Sequence, residues 1–132
     1  MKRIGKDEYY LKIAKVIALR SPCLKAQVGA IIVKNDVIVA TGYNGPARGE
    51  KHCTKCIRME KQAGRDYTDC PAVHAEENAI INSARQGTSI LGGTLYMFHP
   101  EGYGPCIRCQ RAIKNAGIER VVVDKEAKIN EK

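Results

Sequence analysis

Tryptophan is absent from this sequence and phenylalanine occurs once. The core must therefore be mainly aliphatic. Aromatic residues make up 5% of the chain, which leaves few platforms for stacking the bases of single-stranded RNA. No apolar run approaches the ~18 residues of a membrane span. There is no internal repeat and no low-complexity linker. The N-terminus, Met1-Lys2-Arg3-Ile4-Gly5-Lys6-Asp7, leads into a charged helix and not into an apolar signal region. These absences lead us to expect a cytoplasmic protein with no membrane or nucleic-acid partner.

What is present fits one domain over residues 1–132, with an ordinary hydrophobic fraction of 44%. The formal net charge is +8. That balance suits an acidic partner such as a nucleotide phosphate or RNA, although a solvated basic surface is the plainer explanation of charge alone. Six cysteines are grouped as Cys23, Cys53/Cys56, Cys70 and Cys106/Cys109. Disulfides are rare in a reducing cytosol, and two of the groups are C-x-x-C pairs, so metal binding is the better account.

Asp7 to Arg20 reads as an amphipathic helix with Tyr10, Ile13, Ala14 and Ile17 on one face, ended by Ser21-Pro22. Val28 to Val33 and Val37 to Thr41 read as strands joined at Lys34-Asn35-Asp36, a hairpin turn signal. A long polar stretch, 45–72, carries three of the cysteines. A loop of that length needs a staple, and a metal would supply one. Pro71 to Gln86 is a second helix stopped by Gly87, and Gly93 to Phe98 a third strand. Pro105 to Asn115 is a third helix and Ile118 to Asp124 a fourth strand. Lys125 to Lys132 is too polar to assign. The order predicts an α/β domain with a mixed sheet covered by helices, ending in a strand–helix–strand crossover.

The chemistry is concentrated in His74-Ala75-Glu76 and in Pro105-Cys106-Ile107-Arg108-Cys109. Each opens a helix. One imidazole and two thiolates make a three-ligand zinc set with a fourth position open to water, whose pKa zinc lowers to about 7. Cys106 lies at a first helical turn with Cys109 one turn later on the same face, and the helix N-terminus favours thiolate at both. Glu76 is the candidate proton shuttle. A regular helix would turn it about 200° away from His74, so a distortion at the helix start is needed to bring it over the site. H-x-E followed by P-C-x-x-C is the signature of zinc nucleobase deaminases.

At these residues the sequence resembles the deoxycytidylate deaminase family of the cytidine deaminase superfamily. His74-Ala75-Glu76-Glu77-Asn78-Ala79-Ile80 is similar to that family's H-A-E-x-N-A-I form, and Tyr43-Asn44-Gly45 to its Y-N-G segment. Gln27 to Ile32 resembles its first hairpin, and Gly117 to Val122 its last common strand. The resemblance implies a three-layer α/β/α fold with a mixed sheet of about five strands, the fifth lacking a clear candidate here. It implies hydrolysis of dCMP to dUMP and ammonia, with His74, Cys106 and Cys109 on a catalytic zinc and Glu76 as general acid and base. It also implies substrate contacts at Val28, Asn44, the Ala75 backbone and Arg85. Relatives carry a second, structural zinc, for which Cys23, Cys53, Cys56 and Cys70 are the candidates, with His52 as an alternative ligand. Regulation by dCTP and dTTP and assembly into a homo-oligomer, a hexamer before others, belong to the same resemblance.

The sequence departs from the family between the third strand and Cys106. The link His99-Pro100-Glu101-Gly102-Tyr103-Gly104 is longer than usual, and His99, Glu101 and Tyr103 are placed to shape the pocket. Two rivals remain at this point. One is another deaminase of the superfamily, acting on tRNA, a free nucleoside or base, or a riboflavin precursor. The other is a non-catalytic zinc module, against which Glu76 argues, because a structural site has no use for a carboxylate beside a ligand.

Overall fold

In a computed structural model of the chain, residues 2–60 and 69–125 are described. Helix α1, Lys6–Ala18, carries Asp7 and Glu8 in its first turn and Lys15 in its last, matching the helix dipole. It buries Tyr10, Ala14 and Ala18, with Ile13 and Ile17 packed beside them. Strands β1, Gly29–Lys34, and β2, Val37–Tyr43, form the antiparallel hairpin that the sequence predicts. Asn35 and Asp36 both have positive φ, 52° and 61°, as a two-residue hairpin turn requires. Tyr10 Oη donates to Asp36 Oδ1 at 2.7 Å and so ties that turn to α1.

Two short strands follow, β3 at Gly45–Pro46 and β4 at Ala72–Val73, paired antiparallel. They close the two ends of the long polar stretch onto each other. Helix α2, Ala75–Gln86, is shorter than the sequence suggests, because Ala72 and Val73 are spent on this pairing. It ends at Gly87 in the left-handed region, φ 70°. Strand β5, Thr94–Phe98, lies antiparallel to β1, and β6, Arg120–Val123, parallel to β5. Helix α3, Ile107–Asn115, makes the crossover between them.

The main sheet has the order β2-β1-β5-β6. Among the described residues it holds four strands. The C-terminal stretch 126–132, which the sequence leaves unassigned, lies outside them. Ile31, Val33 and Tyr96 face α1. Ala30, Ile32, Leu95 and Met97 face α2 and α3 through Ala75, Ala79 and Ile113. With both faces covered, β1 and β5 are buried almost throughout, and each fully buried Ile or Leu contributes about 1.5–3 kcal/mol. The domain is thus the expected three-layer α/β/α arrangement.

Three contacts between β2 and α2 position the site. A Cβ on Gly42 would collide with the backbone of Ala75, Asn78 and Ala79, so its absence lets the first turn of α2 lie directly on β2. Asn78 Nδ2 then donates to the Tyr43 carbonyl at 2.8 Å, and Asn82 Nδ2 to that of Thr41 at 2.7 Å. No helix among the described residues is long and apolar enough to cross a membrane.

Candidate metal and catalytic site

His74 is the N-cap of α2 and not part of its first turn. Its backbone is extended, φ −72° and ψ 154°. Cys106 is likewise the extended N-cap of α3, with Cys109 three residues into that helix. The extended His74 resolves the difficulty with Glu76. Helical rotation is counted only from Ala75, so Glu76 falls on the same cavity wall as His74 and Cys106.

His74 Nδ1 lies 3.3 Å from Cys109 Sγ and 3.6 Å from Cys106 Sγ. Tetrahedral zinc with ordinary Zn–N and Zn–S bonds would separate such atoms by about 3.5 Å. The three ligand atoms lie within 4.8 Å of one another. The donor set therefore fits zinc in both chemistry and spacing. Burial holds the His74 imidazole below its usual range, assisted by the charges of Arg108 and Arg58 and opposed by Glu77. The neutral form is the one that ligates metal.

Cys109 departs from the expectation of an easily formed thiolate. Burial pushes its thiol well up, and the negative charges of Glu76 and Cys106 add to that. The helix terminus does not outweigh a fully buried position between two acidic groups, and a divalent cation is what compensates such a cluster. Glu76, only 4% exposed, is also raised, first by burial. Hydrogen bonds from its own backbone N–H and from the Cys109 thiol act the other way.

These groups open into a cavity of about 560 Å³, within the range of small-molecule sites. Val28, Asn44 and Ala75 line it. The Asn44 side chain is largely engaged in holding the wall. Its Oδ1 accepts from Ser21 Oγ at 2.6 Å and from the Val28 N–H at 2.9 Å, and its Nδ2 donates to the Ala26 carbonyl at 2.8 Å. His99 and Tyr103, from the lengthened link, also line the cavity, and Glu101 does not.

Arg85, expected among the substrate contacts, does not join this wall. It is exposed in the last turn of α2 and is not part of the lining. Ten residues of helix separate it from Ala75 by about 15 Å, which carries it away from the site. The cations on the wall are instead Lys25, Arg58 and Lys125. Sequence reasoning missed them because nothing local marks a lysine in a loop as facing inward.

The second metal cluster is not assembled as expected. All six cysteines are free thiols. Cys23 and Cys70 line the cavity, whereas Cys53 and Cys56 do not. Among the described residues His74, Cys106 and Cys109 are the one group of three with ligand atoms close enough to share an ion. His52 lies on the wall of a separate cavity with Arg48 and Asn82.

Comparison with known proteins agrees with this geometry. The chain is 41% identical to the deoxycytidylate deaminase of Mycobacterium phage D29, over 96% of its own length and 100% of that protein. It is 33% identical to the deoxycytidylate deaminase of Schizosaccharomyces pombe over 88% of its length, but spans only 36% of that relative. Among solved structures, the dCMP deaminase of cyanophage S-TIM5 in complex with dCMP and dUMP superposes with a TM-score of 0.73 at 31% identity, covering 90% of this chain and 82% of that one. Residues 4–125 match the cytidine and deoxycytidylate deaminase zinc-binding region, and the chain belongs to that family.

Proposed function

We propose that this protein is a zinc-dependent deoxycytidylate deaminase, converting dCMP and water to dUMP and ammonia. The observation that carries this reading is the burial of Glu76 on the same cavity wall as His74 and Cys106. A structural zinc site would have no reason to bury a carboxylate there. The full-length similarity to the phage D29 enzyme supports the monophosphate as substrate.

Bound by His74, Cys106 and Cys109, zinc supplies the Lewis acidity that makes water a nucleophile at neutral pH. The chain does the rest. Glu76 takes a proton from the water as its oxygen adds to C4 of the cytosine, and passes it to N3. It then moves the second proton of that water to the amino group, which leaves as ammonia while the C4 carbonyl forms. Burial keeps the Glu76 carboxyl away from bulk water and raises its proton affinity toward the working range of a shuttle. Asn44 and its partners hold the segment from Ser21 to Val28 as a fixed wall for the nucleotide.

The test is direct. The protein is incubated with dCMP, dCTP, cytidine and a tRNA anticodon stem, and ammonia release and ultraviolet change are followed. Turnover of dCMP is the expected result. Activity on RNA alone, or on none of these, would overturn the reading.

A further inference from the structure

The link between β5 and α3 builds a donor that the deamination chemistry does not use. The Gly102 N–H donates to the His99 carbonyl at 2.9 Å, and Gly102 takes a positive φ of 77°, closing a tight turn. Inside that turn the Glu101 N–H donates to His99 Nδ1 at 3.0 Å. With Nδ1 an acceptor, the neutral ring carries its proton on Nε2. Burial, with the nearby Lys25 charge acting the same way and Glu101 opposing, favours that neutral ring. Tyr103 packs edge-on against it, with ring centroids 5.2 Å apart. The ring is thus held from two sides. Its Nε2 makes no hydrogen bond among the described residues, and no buried side-chain nitrogen there is left without a partner. Nε2–H therefore reaches open space, and His99 lines the catalytic cavity.

Sheet register says what surrounds it. Phe98 pairs with Gly29, so His99 emerges beside the segment that leads into β1 and contains Lys25. On the other side Met97 pairs with Val123, and the Asp124 N–H donates to the Met97 carbonyl at 3.1 Å, which brings Lys125 alongside. Lys25 Nζ is itself directed by a bond to the Met59 carbonyl at 3.1 Å. Lys25 acts electrostatically on the oriented His99 ring, and Lys25, His99 and Lys125 all line the cavity that holds His74 and Glu76. Charge plus fixed donors is what an acceptor-only oxyanion requires.

We propose that His99 is a specificity-determining residue that donates Nε2–H to the 5′-phosphate of the substrate, in a seat whose positive charge comes from Lys25 and Lys125. This rests on the deoxycytidylate reading, which puts the cytosine at Glu76 and leaves the phosphate as the far end of the ligand.

Steady-state kinetics of wild type, His99→Ala and His99→Gln on dCMP and deoxycytidine test it, together with competitive inhibition by inorganic phosphate. Loss of one hydrogen bond to a charged group predicts a KM for dCMP raised by about tenfold to a hundredfold in His99→Ala, with a much smaller change in kcat. The preference for dCMP over deoxycytidine should fall by the same factor, inhibition by phosphate should weaken, and His99→Gln, which keeps an N–H donor, should recover part of the loss. Equal losses on dCMP and deoxycytidine, a loss in kcat alone, or unaltered phosphate inhibition would overturn the proposal while leaving the deaminase reading intact. A wild-type protein with no dCMP turnover would overturn both.

Discussion

Arg108 and Glu77 meet at 3.0 Å, Nη2 to Oε1, and the same carboxylate oxygen accepts the backbone N–H of His74, also at 3.0 Å. Arg108 stands between the two cysteine ligands on α3, and Glu77 follows the histidine ligand on α2. One oxygen thus locks together the two helix starts that carry the metal ligands. The ion pair itself is partly exposed, 57% at Arg108 and 23% at Glu77, and contributes at most about 1 kcal/mol to stability. Its effect is on ligand position. Glu77→Ala should weaken zinc binding by about 10- to 100-fold, as outer partners of metal ligands do. Arg108→Ala, which spares the bond to His74, should have a smaller effect in the same direction. Competition with a chromogenic chelator measures both. Equal zinc affinity in wild type and Glu77→Ala would show that the lock is immaterial.

Glu76→Gln preserves the size of the side chain and removes its basicity. Loss of a positioned acid–base group predicts a fall in kcat of at least about 10²–10⁴-fold. Because Glu76 is not a ligand, zinc content should be unchanged. Cys109→Ser should do the reverse and lose zinc first, activity following. Metal analysis beside a dCMP assay separates the two. Zinc loss in Glu76→Gln would mean that the carboxylate serves as a ligand.

The cluster of His74, Cys106 and Cys109 was legible because H-x-E and P-C-x-x-C place scarce chemistry at fixed spacing, and the same spacing marks Glu76 as the proposed shuttle. Asn35-Asp36 was legible for the same local reason, since turn chemistry is written in adjacent residues. The start of α2 was not. It depends on Ala72–Val73 pairing with Gly45–Pro46, and periodicity carries no trace of so distant a hydrogen-bond partner. Glu76 looked misdirected for that reason, and the extended His74 corrects it. Lys25 and Lys125 are far apart in the sequence and line one cavity only because of the β1-β5-β6 register. Arg85 is the opposite case, a suitable residue on the right helix that lies in its last turn, outside the lining of this cavity.

Tyr10 and Tyr96 predict an alkaline limit to stability. Tyr10 is pushed up to about 12, first by its hydrogen bond to Asp36 and then by burial. Tyr96 also rises to about 12, first by burial and then by its bond to Asp7. Both hydroxyls are donors, so the proton is held more tightly in the folded state than in the unfolded chain, where tyrosine ionises near pH 10. A pKa raised on folding stabilises fully below pH 10, and the contribution is lost as pH rises toward 12. Stability in urea should therefore fall across that window. Tyr10→Phe should cost about 0.5–1.5 kcal/mol at neutral pH and flatten the alkaline fall. Six tyrosines absorb together, so the residue is isolated by difference: if the wild-type titration minus that of Tyr10→Phe or Tyr96→Phe places the lost tyrosinate absorbance near pH 10, the assignment for that residue is contradicted.

Gly42→Ala tests how the helix that carries His74 is seated. Gly42 lies in a strand with ordinary backbone angles, so alanine introduces no conformational strain there. The difficulty is space, because the new methyl would meet the backbone of Ala75, Asn78 and Ala79. Backbone cannot rotate aside as a flexible side chain can, so α2 must lift from β2. Overpacking of this kind costs about 1–3 kcal/mol. The shift would fall on the N-terminal turn of α2, displacing His74 and Glu76 relative to Cys106 and Cys109. Gly42→Ala should then lower Tm and lose activity out of proportion to the fraction unfolded. Gly5→Ala is the steric control: nothing lies within 4 Å of the added methyl, so its cost is confined to the N-cap of α1, about 0.5–1 kcal/mol, with no displacement of the site. Thermal melts alongside dCMP turnover at a temperature where both variants are folded provide the measurement. If Gly42→Ala matches Gly5→Ala in both, the close seating of α2 on β2 does not control the site.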